Sequence, residues 1–201
     1  SQSRSKQVGK LRSAVNQGSP MIAILKYNAG NIQSVQNALT RLGYESVVTD
    51  DKKELMTAEK VIIPGVGHAL GAMKYLAERE LDKLILSLRQ PVLGICLGLH
   101  LMCHYSDEGS VRCLGIFDAA VKKFPPFDKV PHMGWNNFSA LKGSLFRAVS
   151  AAEDVYYVHS YYCEITDYTL AICDYVLPFS AAMHRDNYYA VQFHPEKSAD
   201  T

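Results

Sequence analysis

A chain of 201 residues with a 48% hydrophobic composition can bury one substantial core, enough for a single compact domain. Basic and acidic residues nearly balance, 21 against 20, with no block of like charge, which excludes nucleic acid and anionic membrane as electrostatic partners. No apolar run approaches the ~20 residues of a bilayer span and no apolar signal core opens the chain, so a soluble, cytoplasmic protein is expected.

Residues 1–20 (SQSRSKQVGKLRSAVNQGSP) are polar and basic and read as an extension, flexible or added to a domain at 21–201. Val8, Leu11 and Val15 nevertheless recur at helical spacing. From Met21, strand and helix take turns. MIAILKY is a buried strand, and NIQSVQNALTRLG is an amphipathic helix with Ile32, Val35, Leu39 and Leu42 on one face and Gly43 as its stop. YESVVT and KVIIPGVG are the next strands, the latter broken by Pro64 and two glycines. ALGAMKYLAERELDKLILSLRQ is helical in two pieces, and the strand PVLGI runs into a helix over CLGLHLMCHYS. Wholly apolar strands alternating with helices predict a three-layer α/β fold, flavodoxin-like, with a mostly parallel sheet covered on both faces. After Gly109 the runs become short, tyrosine-rich and strand-like, which predicts an antiparallel extension in the C-terminal half. PHMGWNNF and the turn at 125–127 read as loops.

The five cysteines, Cys96, Cys103, Cys113, Cys163 and Cys173, are odd in number and form no CxxC pair. Neither a disulfide framework nor a metal site is indicated, and no cofactor is expected. Ligands of a doubly wound sheet collect at the carboxyl ends of its strands, where three glycine-containing turns fall: YNAGN (27–31), PGVG (64–67) and GICLG (94–98). GICLG follows a strand and opens a helix, the arrangement of a nucleophile elbow. A cysteine there feels the positive end of the helix dipole, which favours thiolate, and the amide of Leu97 could face an oxyanion. Taken alone, the motif fits a buried structural Cys96 as well as a nucleophile.

A nucleophilic cysteine needs a base and the base an orienter. AVQFHPEKS supplies both: an apolar strand stops at His194, Pro195 turns the chain, and Glu196 can lie beside the imidazole. His68, His104 and His184 read as surface or cap residues, while His132 and His159 read as pocket or interface residues. Trp135, the sole tryptophan, suits a partner interface or the core. PGVG offers a second oxyanion donor around Val66, or merely a tight β–α turn.

GICLG and HPE together resemble the class I (triad) glutamine amidotransferases. YNAGNIQSV, PGVG, SDEG (106–109), KVPHMGWN (129–136), YYVHSYY (156–162) and VQFHPEKS (191–198) narrow the resemblance to the glutaminase subunits of imidazole glycerol phosphate synthase, from about Met21 to Ser198. The resemblance implies a triad of Cys96, His194 and Glu196 that hydrolyses L-glutamine through a glutamyl thioester. It implies an oxyanion hole at Val66, Gly67 and Leu97, and substrate contacts at Gly65, His100, Glu108, Ser160 and Tyr161. Asn31, Trp135 and Lys197 would face a (β/α)8-barrel cyclase that receives the ammonia through a channel and makes imidazole glycerol phosphate and AICAR for histidine biosynthesis. Similar subunits of anthranilate, aminodeoxychorismate or GMP synthesis are the alternative, as is a glutaminase-like scaffold without turnover. Three departures stand out: His100 replaces the usual Gln, which makes glutamine affinity pH-sensitive near the imidazole's titration range; the chain stops at Thr201, without a closing helix of roughly 10 residues; and residues 6–17 could dock where that helix would lie.

Overall fold

MIAIL, KVII and VLGI carry apolar residues at successive positions, so each needs cover on both faces. The computed structural model provides it, and describes residues 21–27, 32–65, 67–126, 131–147 and 150–198. Asn31, Val66, the extension at 1–20 with its docking segment, and residues 199–201 lie outside the described residues. The chain runs β1 (Met21–Leu25), α1 (Ile32–Arg41), β2 (Glu45–Thr49), α2 (Lys52–Thr57), β3 (Lys60–Ile63), α3 (Ala69–Glu78), α4 (Leu81–Ser87), β4 (Val92–Ile95) and α5 (Leu97–Met102). Short strands follow: β5 (Tyr105–Ser106), β6 (Val111–Arg112), β7 (Ala120–Lys123), β8 (His132–Asn136) and β9 (Ala140–Leu141). The last are β10 (Val155–His159), β11 (Tyr161–Cys163), β12 (Thr169–Tyr175), β13 (Leu177–Arg185) and β14 (Tyr188–Val191).

The main sheet has the order β2-β1-β3-β4-β14-β13-β12-β9. β2, β1, β3, β4 and β14 pair in parallel, and β13, β12 and β9 extend the sheet antiparallel, as the tyrosine-rich half predicts. Two smaller sheets, β10-β8 and β11-β7-β5-β6, stand beside it. Ala23 and Leu25 join a core cluster with Leu55, Leu76, Leu81 and Leu99 of α2 to α5. Ile22 and Ile24 join the opposite cluster with Val35 of α1, Tyr157, Phe179 and Phe193. Alternation along one strand thus feeds two separate apolar layers.

Local expectations fail in four places. Leu42 is 71% exposed, because α1 ends at Arg41 and Gly43, at φ +84°, turns the chain before Leu42 can reach the sheet. The helix α2 goes unpredicted, although Asp51 caps it by accepting from the Glu54 amide at 2.9 Å. α5 stops at Met102, and the residues read as its continuation form β5, which pairs with β6 and β7. PHMGWN forms β8 rather than a loop: VYYVH pairs with it antiparallel, His132 opposite His159, and that pairing overrides the glycine and proline signals.

Two glycines bring α5 onto the sheet. A Cβ at Gly98 would collide with the Ile63 carbonyl oxygen, and one at Gly94 would stand 2.8 Å from the Gly98 carbonyl group. Gly71, in α3, has nothing within 4 Å of where its Cβ would lie. Gly98→Ala should therefore destabilise the fold by about 1–3 kcal/mol or more, while Gly71→Ala should stabilise it by roughly 0.5–1 kcal/mol. Denaturant titration of the two variants checks the opposite signs.

Candidate active site

β4 and β14 are adjacent parallel strands with Ile95 opposite Val191, so the residues that follow each of them emerge side by side. The Cys96 amide donates to the Val191 carbonyl at 2.8 Å, which continues the ladder one step past the strand end. Cys96 itself sits at φ +52° and ψ −101°, a strained conformation for a residue with a side chain. That turn is the elbow predicted from GICLG. It leaves the thiol buried, with Sγ 3.8 Å from the Val158 carbonyl of β10.

His194 follows β14 and is pinned from the other side, its amide donating to the Tyr156 carbonyl at 2.8 Å. A single 3-10 turn at Pro195–Lys197 folds Glu196 back beneath the imidazole, and Nδ1 lies 2.8 Å from Glu196 Oε1. The Ser198 hydroxyl closes the turn, donating to the His194 carbonyl at 2.8 Å and accepting from the Tyr156 amide at 3.0 Å. The His194 and Glu196 side chains are only 2% and 5% exposed. His194 Nε2 is buried and has no hydrogen-bond partner of ordinary length; the group that acts on it is the Cys96 thiol. Burial alone pulls the imidazole pKa down. Cys96 and Glu196 more than offset it, holding His194 up at about 9. The ring is thus kept protonated near neutral pH, between a sulfur and a carboxylate.

A cavity of about 300 Å³ opens over the thiol, a volume that accommodates an amino acid. Gly67, Cys96, Leu97, His100, Glu108, Ser160 and Tyr161 are among its lining residues. Every described residue assigned to oxyanion or substrate binding from sequence therefore lines the cavity except Gly65, whose carbonyl accepts from the Leu97 amide at 3.3 Å. That contact occupies one of the donors expected to face an oxyanion. Glu108 has a second attachment, its Oε1 accepting from the Ala69 amide at the start of α3 at 2.8 Å. His159 also lines the cavity, with Nδ1 2.7 Å from the Tyr161 carbonyl and Nε2 3.1 Å from His132 Nδ1. Burial depresses both rings, His132 to about 4, so this pair is neutral.

Trp135 and Met133 are half exposed or more on the outer face of β8, away from the core. The Trp135 ring packs edge-on against Tyr156, over which Lys197 Nζ stands at 5.9 Å. His100 is buried, and burial lowers its pKa, moving its titration away from the range expected of an open imidazole. Its Nε2 lies 2.6 Å from Gln192 Oε1, and Gln192 Nε2 lies 3.5 Å from Cys96 Sγ. Gln192 is the site residue that the sequence reading missed. Its signal was a polar side chain two positions before His194, and hence on the same side, in an otherwise apolar strand. Cys103 and Cys163 touch each other at 3.5 Å in the core, outside the cavity lining.

Residues 23–201 match the model of the "Glutamine amidotransferase class-I" family. The chain is 58% identical over 182 residues to the imidazole glycerol phosphate synthase subunit HisH of Bacteroides fragilis, covering 89% of this chain and 93% of that one. Identity to the HisH subunit of Vibrio parahaemolyticus is 43% over 186 residues, with 89% and 91% covered. Among solved structures, PurLQS of Thermotoga maritima superposes with a TM-score of 0.65 at 18% identity, covering 91% of each chain. A second crystal structure of a glutamine amidotransferase gives 0.66 at 18% identity, covering 89% and 92%. These two likenesses establish the α/β fold, and the sequence matches establish descent. The chain belongs to the class-I glutamine amidotransferase family, and within that family its similarity is to the HisH subunits of imidazole glycerol phosphate synthase.

Proposed function

We propose that Cys96, His194 and Glu196 are the triad with which this chain acts as the glutaminase subunit of imidazole glycerol phosphate synthase. The observation that carries the reading is the buried His194 ring held between the Glu196 carboxylate at 2.8 Å and the elbow thiol. The Cys96 thiolate, its proton resting on His194 Nε2, attacks the side-chain carbonyl carbon of glutamine, and the carbonyl oxygen becomes an oxyanion. His194 gives its Nε2 proton to the amide nitrogen as the carbon–nitrogen bond breaks, so ammonia leaves and a glutamyl thioester remains. Neutral His194 then takes a proton from water, whose hydroxide displaces the sulfur and releases glutamate. Glu196 keeps Nδ1 protonated throughout, so Nε2 always faces the reaction.

The oxyanion donors would be the amides of Leu97 and Val66, beside Gly67. Because the Leu97 amide donates to the Gly65 carbonyl, the Gly65–Gly67 segment must turn before that donor serves the reaction. Glu108 offers a carboxylate to the substrate's α-ammonium, and the Ser160–Tyr161 segment closes the same end of the cavity. Asn31, Trp135 and Lys197 would meet a (β/α)8-barrel cyclase, supported by the exposed Trp135 and Met133 on one strand face. That barrel would take up the ammonia for histidine biosynthesis in the cytoplasm. Among the described residues no helix is long and apolar enough to cross a membrane. The domain is read as spanning 21–201.

Cys96→Ala should abolish glutamate release from glutamine in the presence of the barrel subunit and its nucleotide substrate; unchanged release sinks the triad. Ammonia departure requires protonated His194, so kcat/KM should hold below pH about 9 and fall as pH rises through it. Glu196→Gln should move that alkaline limb to lower pH and slow turnover roughly ten- to a thousandfold, read from a pH–rate profile beside the wild type. Trp135→Ala should weaken association with the barrel about tenfold or more, measured by titration calorimetry, while its melting temperature stays near that of the wild type.

A further inference from the structure

The geometry points to a relay in which His100 holds the Gln192 side chain so that an amide N–H is aimed at the Cys96 sulfur. This rests on the reading of Cys96 as the nucleophile. Gln192 contacts the reacting atom directly, and His100 is its positioning residue.

Gln192 is wholly buried and follows Val191, the residue opposite Ile95, so it stands abreast of Cys96. Its Oε1 lies 2.6 Å from His100 Nε2. A carbonyl oxygen only accepts, so His100 Nε2 carries the hydrogen in this contact. The Gln192 amide nitrogen is then left facing Sγ at 3.5 Å, and an amide nitrogen only donates. The sulfur must accept, and a thiolate accepts more strongly than a thiol. Turned over, Gln192 would present its carbonyl oxygen to the sulfur and oppose a thiolate. With the hydrogen on Nε2, His100 holds this orientation, because an Nε2–H pairs only with the oxygen, whereas the Nδ1–H tautomer would favour the reverse. An apolar side chain at 100 could make no such bond.

The other polar groups described around the thiol are engaged elsewhere. Tyr27, beyond β1, donates to the Pro64 carbonyl. Glu108, in the turn after β5, accepts from Ala69, and its charge acts on His100. His159 of β10 is engaged by His132 and the Tyr161 carbonyl, and Glu196 by His194. Among the described residues, Gln192 and His194 are the side chains placed to donate to the sulfur.

The test is the rate at which iodoacetamide alkylates Cys96 in the full chain, followed by mass spectrometry of the Cys96 peptide. Losing one hydrogen bond to a charged group should lower the ratio of the rates at about pH 7 and about pH 10 roughly tenfold in His100→Leu and in Gln192→Glu. The rate at the higher pH should stay near wild type, which a change of mere access to the thiol would not allow. Wild-type ratios in His100→Leu and Gln192→Glu overturn the relay. Nitrogen NMR of the unmutated protein gives a reading independent of any variant's folding: His100 as the Nε2–H tautomer supports the relay, and the Nδ1–H tautomer refutes it. Failure of the triad itself would show separately, as glutamate release surviving Cys96→Ala.

Discussion

The parallel pairing of β4 with β14 is the constraint on which the rest of the site depends. Its register sets Ile95 opposite Val191, and the Cys96 amide adds one more ladder bond to the Val191 carbonyl. A slip of one residue would turn Gln192 and His194 to the other face of the sheet, away from the thiol. Register here is held by burial on both faces: Val92, Ile95, Ala190 and Val191 are nearly inaccessible to solvent. Stability and chemistry therefore draw on the same contacts. The strain at Cys96 persists because the strand before it, the helix after it and the close approach of Gly98 to Ile63 leave that turn no alternative.

Around this pairing the protein sorts its histidines by environment rather than by sequence. His194, His159, His132 and His100 are all buried, and burial acts against charge in each. Only His194 has a carboxylate against one nitrogen and the thiol against the other, and only its pKa rises. The other three are pushed down and serve through the directions of their N–H groups. In the proposed reaction, the one raised imidazole among these four would be the proton donor for ammonia departure.

Much of this was legible in the residues. GICLG and HPE announced an elbow cysteine and an oriented base, and continuous apolar strands announced a parallel sheet with two covered faces. What escaped depended on partners distant in the chain. PHMGWN looked like a loop because its glycine and proline are local signals, whereas its pairing with VYYVH is not. Leu42 fitted the helical period but falls beyond the end of α1, and period alone does not reveal where a helix stops. His100 stood out as a departure from a pattern, and the residue that gives it a role, Gln192, lies on another strand. The Asp51 cap of α2, by contrast, is a purely local signal, an acidic residue three positions before Glu54.

The β8–β10 ribbon links the two ends of the proposed activity. From β10, the Tyr156 carbonyl fixes His194 and the Val158 carbonyl faces Cys96, while Ser160 and Tyr161, just past its end, line the cavity. From β8, Trp135 and Met133 face outward, and Trp135 rests on Tyr156 itself. A partner pressing on the outer face would therefore load the residue whose backbone holds the proposed catalytic base. The ribbon has only two strands, so its ladder resists displacement less than the eight-stranded sheet behind it does. A rigid pairing of β4 with β14 to hold sulfur and imidazole, with a thinner ribbon between that pairing and the exposed face of Trp135, places the adjustable contact where the proposed substrate and partner would both reach it.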